Sequence, residues 1–77
     1  MFIFLYLMDK LILNRLKFVL LEKNVRNKEL AKALGKTEST VSQWCNNYKQ
    51  PSVETFYQIA EFLDVNLQDL FVSTKDR

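Results

Sequence analysis

The chain reads as an all-α domain of five helices. Three observations predict this. A hydrophobic share of 48% is enough for one core, glycine and proline occur once each, and apolar residues recur at helical spacing along most of the sequence. At 77 residues the chain makes one domain at most. It divides into an apolar extension over 1–8, a helical domain over 9–72 and a tail over 73–77.

The extension "MFIFLYLM" is too short to cross a bilayer and lacks the features of a signal peptide. It reads either as a short strand or as a disordered extension ahead of a start at Met8. A lone Cys and the absence of His exclude a disulfide framework, a Cys/His zinc site and histidine-based catalysis. The lone thiol fits a reducing, cytoplasmic setting. The acids Glu54, Glu61, Asp64 and Asp69 fall at helical-surface spacings and form no dyad. No catalytic residue, metal ligand, cofactor site or small-molecule effector site is evident, and the chain is read as a non-enzyme. A balance of 11 Lys+Arg against 9 Asp+Glu is too even to name a partner.

The first helix is expected from an Asp9 cap to about Lys23, with Leu13, Leu16 and Leu20 and the neighbours Ile12, Val19 and Lys23 recurring on one stripe. Asn14, Arg15, Lys17 and Glu22 fall mostly on its polar side, and Leu11, Phe18 and Leu21 widen the apolar face. The connector 24–27 precedes a second helix, Lys28 to Leu34, with Leu30, Ala31 and Leu34 inward. Gly35 ends it where a left-handed residue is easiest. Thr37 is a candidate N-cap for a third helix reaching Asn47, which tolerates a left-handed terminus. Ser52 opens the fourth, with Val53, Phe56, Ile59, Ala60 and Leu63 buried. Asn66 and Asp69 make a capping-box-like pair for a short fifth helix, Leu67 to Phe71.

The third helix carries the functional signal. At about 100° per residue, Val41, Trp44, Cys45 and Tyr48 cluster on one side. Ser39, Ser42, Gln43 and Asn46 cluster on the other. An ordinary solvated face is rich in Lys and Glu, whereas this one carries only short or medium hydrogen-bonding groups. Such a face suits base edges, where amides and hydroxyls both donate and accept.

The stretch "NKELAKALGKTESTVSQWCNN" is a short helix, a glycine turn and a second helix. Together with "PSVETFYQIAEFLDVNLQDLF" it resembles the Cro/phage-repressor-like (XRE-type) helix-turn-helix DNA-binding family, over about sixty residues from Leu13 to Phe71. The resemblance implies a five-helix lambda-repressor-like domain. Its second helix would lie across the DNA backbone and its third would enter the major groove.

Carried over position by position, Glu38, Ser39, Ser42 and Gln43 are the implied base readers. Thr37, Thr40, Asn46 and Asn27 match positions near phosphates, with Arg15, Arg26, Lys36 and Lys49 as nearby cations. Arg26 departs from the family's usual Ser or Thr cap, so Asn27 is the alternative cap. Lys36 replaces a commonly aliphatic turn residue; the turn is then looser, or the lysine stem covers the core. The family's Arg–Glu pair between helices one and three is here Leu20 and Cys45. Joint replacement by apolar residues makes Cys45 a core thiol beside Leu20. Trp44 likewise reads as core rather than as a base-stacking ring. Tyr48 reads either as flanking the core or as reaching a phosphate.

The resemblance also implies double-stranded DNA as partner, a palindromic operator and a homodimer, in a small repressor-like transcription regulator of a bacterium or phage. Candidate dimer surfaces are Tyr57, Phe62, Leu70 and Phe71, or the apolar extension. The alternative reading is a protein-interaction module, antitoxin or adaptor, on the same fold.

Overall fold

The computed structural model describes residues 12–73. The expectations placed on 1–8, on Asp9 and on 74–77 lie outside that range. Among the described residues the elements are α1 (Leu16–Glu22), α2 (Asn27–Leu34), α3 (Glu38–Cys45), α4 (Val53–Leu63) and one 3-10 turn, η1 (Leu67–Leu70). The all-α class holds, but the fifth helix is a single 3-10 turn. The Asn66 N–H donates to the Asp69 carboxylate at 3.1 Å, which fixes where the turn starts. Four residues then close before an α-helical turn can propagate.

The first helix is shorter than its apolar run suggests. It begins at Leu16, not near Asp9, because residues 13–15 are paired with the end of the chain. The Arg15 N–H donates to Leu70 O and the Val72 N–H to Leu13 O, both at 2.9 Å. Ile12 and Leu13 therefore leave the buried stripe and are exposed, at 63% and 44%. Asn14, placed by helical periodicity on the polar side, is only 2% exposed.

Each of α1 to α4 ends on a left-handed residue: Asn24 (φ 57°), Gly35 (φ 68°), Asn47 (φ 59°) and Asp64 (φ 58°). A chain with one glycine uses Asn and Asp for the other three, the residue types that tolerate this conformation best. After Gly35 the Lys36 N–H donates back to Ala31 O at 2.8 Å, which closes a Schellman motif. The turn is thus tight, and Lys36 is exposed rather than folded over the core. Thr37 and Ser52 cap α3 and α4, each hydroxyl accepting a backbone N–H three residues on, at 3.1 Å.

The core is Leu16, Val19, Leu20, Leu30, Ala31, Val41, Trp44, Cys45, Phe56, Ile59, Ala60, Leu63 and Leu70. α2 packs on both α3 and α4, while α1 packs on α3 and η1. Burial on α4 begins at Phe56. Val53, on the first turn, is 76% exposed and not part of the stripe expected for it. Leu70 is fully buried, so it cannot serve the dimer surface expected of it. Phe71 keeps an exposed edge while its ring stacks at a tilt on Phe56, centroids 4.6 Å apart. Tyr57 and Phe62 are exposed, as are Phe18 and Leu21 on the outer side of α1.

Candidate nucleic-acid interface

α3 is anchored inward by Val41, Trp44 and Cys45, at 0%, 5% and 9% exposure. Its other side stays accessible. Glu38, Ser39 and Asn46 are exposed, and Ser42, Gln43 and Thr40 are half-buried. Among the described residues, the side chains of Glu38, Ser39 and Gln43 make no internal hydrogen bond. Ser42 Oγ accepts only a long contact from Asn46 Nδ2 at 3.5 Å. These groups keep their donor and acceptor capacity for a ligand. The helix ends at Cys45 rather than Asn47, with Asn46 as its C-cap.

Thr37 and Thr40 are tied together at the start of α3. Thr37 Oγ1 accepts from the Thr40 N–H at 3.1 Å, and the two hydroxyls lie 3.0 Å apart. Glu38 sits in the first turn, where the helix dipole favours an anion.

A groove of about 490 Å³ runs between α1, the α1–α2 connector and α3. It is lined by Lys17, Arg26, Asn24, Asn27, Ser42 and Asn46, over a floor that includes Leu20 and Cys45. It brings together four of the residues singled out from the sequence: Arg26, Asn27, Ser42 and Asn46. The lining holds two cations and no carboxylate, which favours an anion such as phosphate.

The sequence reading missed Lys17 and Asn24. Both come from the α1 end of the groove, and their only signal was a basic residue and an amide near a helix terminus. Lys36 and Lys49 are exposed on the turns flanking α3. Arg15, half-buried, donates through Nη1 to Asp69 O at 3.0 Å, which ties it to η1. Tyr48 is exposed, away from the core.

Asn27 is not the cap of α2. Arg26 holds that position with no acceptor of its own, and its N–H is satisfied by Glu29 Oε1 at 2.8 Å. Asn27 Oδ1 instead faces the thiol of Cys45, with Sγ at 3.7 Å. Cys45 and Leu20 belong to one buried cluster, as expected for a core thiol. Burial pushes the Cys45 thiol up from its ordinary value, and the charge of Lys17 partly opposes that.

Comparison with known proteins identifies the class. The family model described as Helix-turn-helix matches residues 16–70, so the chain belongs to that family, in line with the Cro/phage-repressor resemblance. An uncharacterized HTH-type transcriptional regulator of Methanocaldococcus jannaschii is 30% identical over 63 residues, spanning 82% of this chain and 96% of that protein. A crystal structure from Bacteroides fragilis, of a protein named for an inferred DNA-binding role, superposes with a TM-score of 0.77 at 45% identity. It spans 78% of this chain and 97% of that one. Family and relatives agree with the reading of the chain as a non-enzyme. No helix among the described residues is long and apolar enough to cross a membrane.

Proposed function

We propose that the chain is a DNA-binding transcription regulator whose α3 reads bases in the major groove. The observation that carries this reading is the division of α3. Val41 and Trp44 are held in the core while Ser39, Ser42 and Gln43 keep accessible, uncharged hydrogen-bonding groups. Glu38 is a fourth reader, able to accept from a cytosine amino group. Arg26, Asn27, Thr37, Thr40, Asn46, Lys36 and Lys49 surround α3 and supply the phosphate contacts, with Arg15 at the margin. The names of the two relatives support the same function. A single module buries little DNA, so the binding form is a homodimer on a palindromic operator, acting as a repressor by occupancy.

Selection from a random duplex pool tests this directly. The expected product is a palindrome, bound with a steep loss of affinity as salt rises. Gln43→Ala should relax preference at one position by about 1–3 kcal/mol. Lys49→Ala should weaken all sequences alike. Equal losses on operator and random DNA for Gln43→Ala would refute its role as a reader.

A second reading, a protein-interaction module, draws on the exposed Phe18 and Leu21 at 60% and 69%. Poor retention on heparin together with self-association would favour it.

A further inference from the structure

The end of α3 is held by side chains that no motif for base reading includes. Asn47, in the left-handed turn just past α3, places its amide against the backbone leading into α1. Its Oδ1 accepts from the Leu13 N–H at 2.9 Å and the Asn14 N–H at 3.0 Å, and its Nδ2 donates to Asn14 O at 3.1 Å. The amide thus pairs with residue 14 as a neighbouring strand would. The opposite edge of the same segment is taken by Leu70 and Val72.

Asn14 answers with its own side chain. Its Nδ2 donates to Trp44 O at 3.0 Å, in the last turn of α3, and to Gln50 Oε1 at 2.7 Å. Gln50 closes the ring by donating from Nε2 to Asn47 Oδ1 at 3.0 Å.

The ring admits one orientation of each amide. Backbone N–H groups can only donate, so the atom of Asn47 facing Leu13 and Asn14 is oxygen. The Leu16 N–H likewise requires Asn14 Oδ1, at 2.9 Å, which turns Asn14 Nδ2 toward Trp44 O and Gln50. Gln50 is then fixed by both neighbours. Three amides, on the segment before α1 and the loop after α3, satisfy one another and clamp the carboxyl end of α3. Among the described residues no buried side-chain nitrogen or oxygen lacks a partner.

We infer that Asn47, with Asn14 and Gln50, is a positioning residue for base reading: the amide ring fixes the angle at which α3 presents Ser39, Ser42 and Gln43. This rests on the proposed DNA-binding function. All three amides lie outside α3 and carry no charge, so their loss changes discrimination between sequences more than attraction to phosphates.

Asn47→Gly is the cleanest variant. Glycine accepts the left-handed backbone, so only the side-chain bonds disappear. Gln50→Ala is the companion, opening the ring while leaving Asn47 on the backbone of residues 13 and 14. Wild type, Asn47→Gly and Gln50→Ala would each be titrated by fluorescence anisotropy against the operator selected by wild type and against a shuffled duplex, at one salt concentration. Hydrogen exchange at the Leu13 and Asn14 amides would be followed alongside.

For Asn47→Gly we expect about a tenfold loss on the operator, the size of one lost base contact, with less than about a twofold change on the shuffled duplex. Faster exchange at Leu13 and Asn14, with the α2 and α4 core amides unaffected, should accompany it. Gln50→Ala should show the same split at a smaller size. Equal losses on both duplexes, or operator binding unchanged in both variants, would overturn the positioning role. If wild type selects no sequence at all, the proposed function fails first and the reading role falls with it. Operator selection by wild type that Asn47→Gly fully retains sinks the positioning role alone.

Discussion

The two ends of α3 are secured in different ways. At its start, Thr37 and Thr40 bond to each other across three residues, and nothing distant is needed. At its end, Trp44 O is held by Asn14, 30 positions away, and the Asn47 amide by the backbone of residues 13 and 14. A local cap decides where a helix begins. A non-local clamp decides where it points, because it ties the helix to an element that is itself docked on η1. The start of α3 is therefore set by sequence neighbours, and its direction by the whole fold.

The largest effect is expected from Trp44→Ala, which removes the side chain that seats α3 in the core while leaving both the Thr37 cap and the Trp44 carbonyl in place. It should cost about 3–5 kcal/mol in urea unfolding. Next comes Asn14→Ala, which leaves Trp44 O, Gln50 and the Leu16 N–H short of a partner in a buried site, for about 1–3 kcal/mol. Thr37→Ala should cost only about 1 kcal/mol, since water can replace the hydroxyl at an exposed helix start. If the Thr37 variant proves as damaging as the Asn14 variant, the contrast between local and distant anchoring is wrong.

The smallest effect concerns pH. Burial raises the Cys45 thiol above its usual 9.0, so the folded state holds its proton longer than the unfolded chain. Below that value both states are protonated and stability is unaffected. As pH climbs through it, the unfolded state ionises first and stability falls. Cys45→Ala should flatten that alkaline slope in denaturant titrations, and a slope identical to wild type would discount the buried thiol as its source.

What the residues revealed in advance follows the same division between near and far. Thr37, Ser52 and Gly35 announced their roles because each acts on backbone within a few positions. Phe56, Ile59 and Leu63 were legible because a helix repeats its inward face. The polar side of α3 was legible for the same reason: four uncharged side chains recur at helical spacing on a short segment. Asn14 was misread because its partners are Trp44, Asn47 and Gln50, and no local pattern reports a partner thirty residues distant. The start of α1 was misjudged through a second distant interaction, since backbone pairing with residues 70–72 overrides an apolar run with good helical period. Asn66 and Asp69 marked where η1 opens but carried no information on whether its turn would be α or 3-10. Lys17 and Asn24 were missed in the groove because a concavity shared by two helices appears only when both are docked.

The pairing of Leu13 with Val72 and of Arg15 with Leu70 also has a mechanical meaning. The two segments run antiparallel, so a pull separating residues 12 and 73 would load the Val72–Leu13 bond alone before reaching the next. Such a seam peels rather than shears. Asn14 lies one step along it, so tension on the flanking chain would reach the amides beneath Trp44 before the helical core gave way.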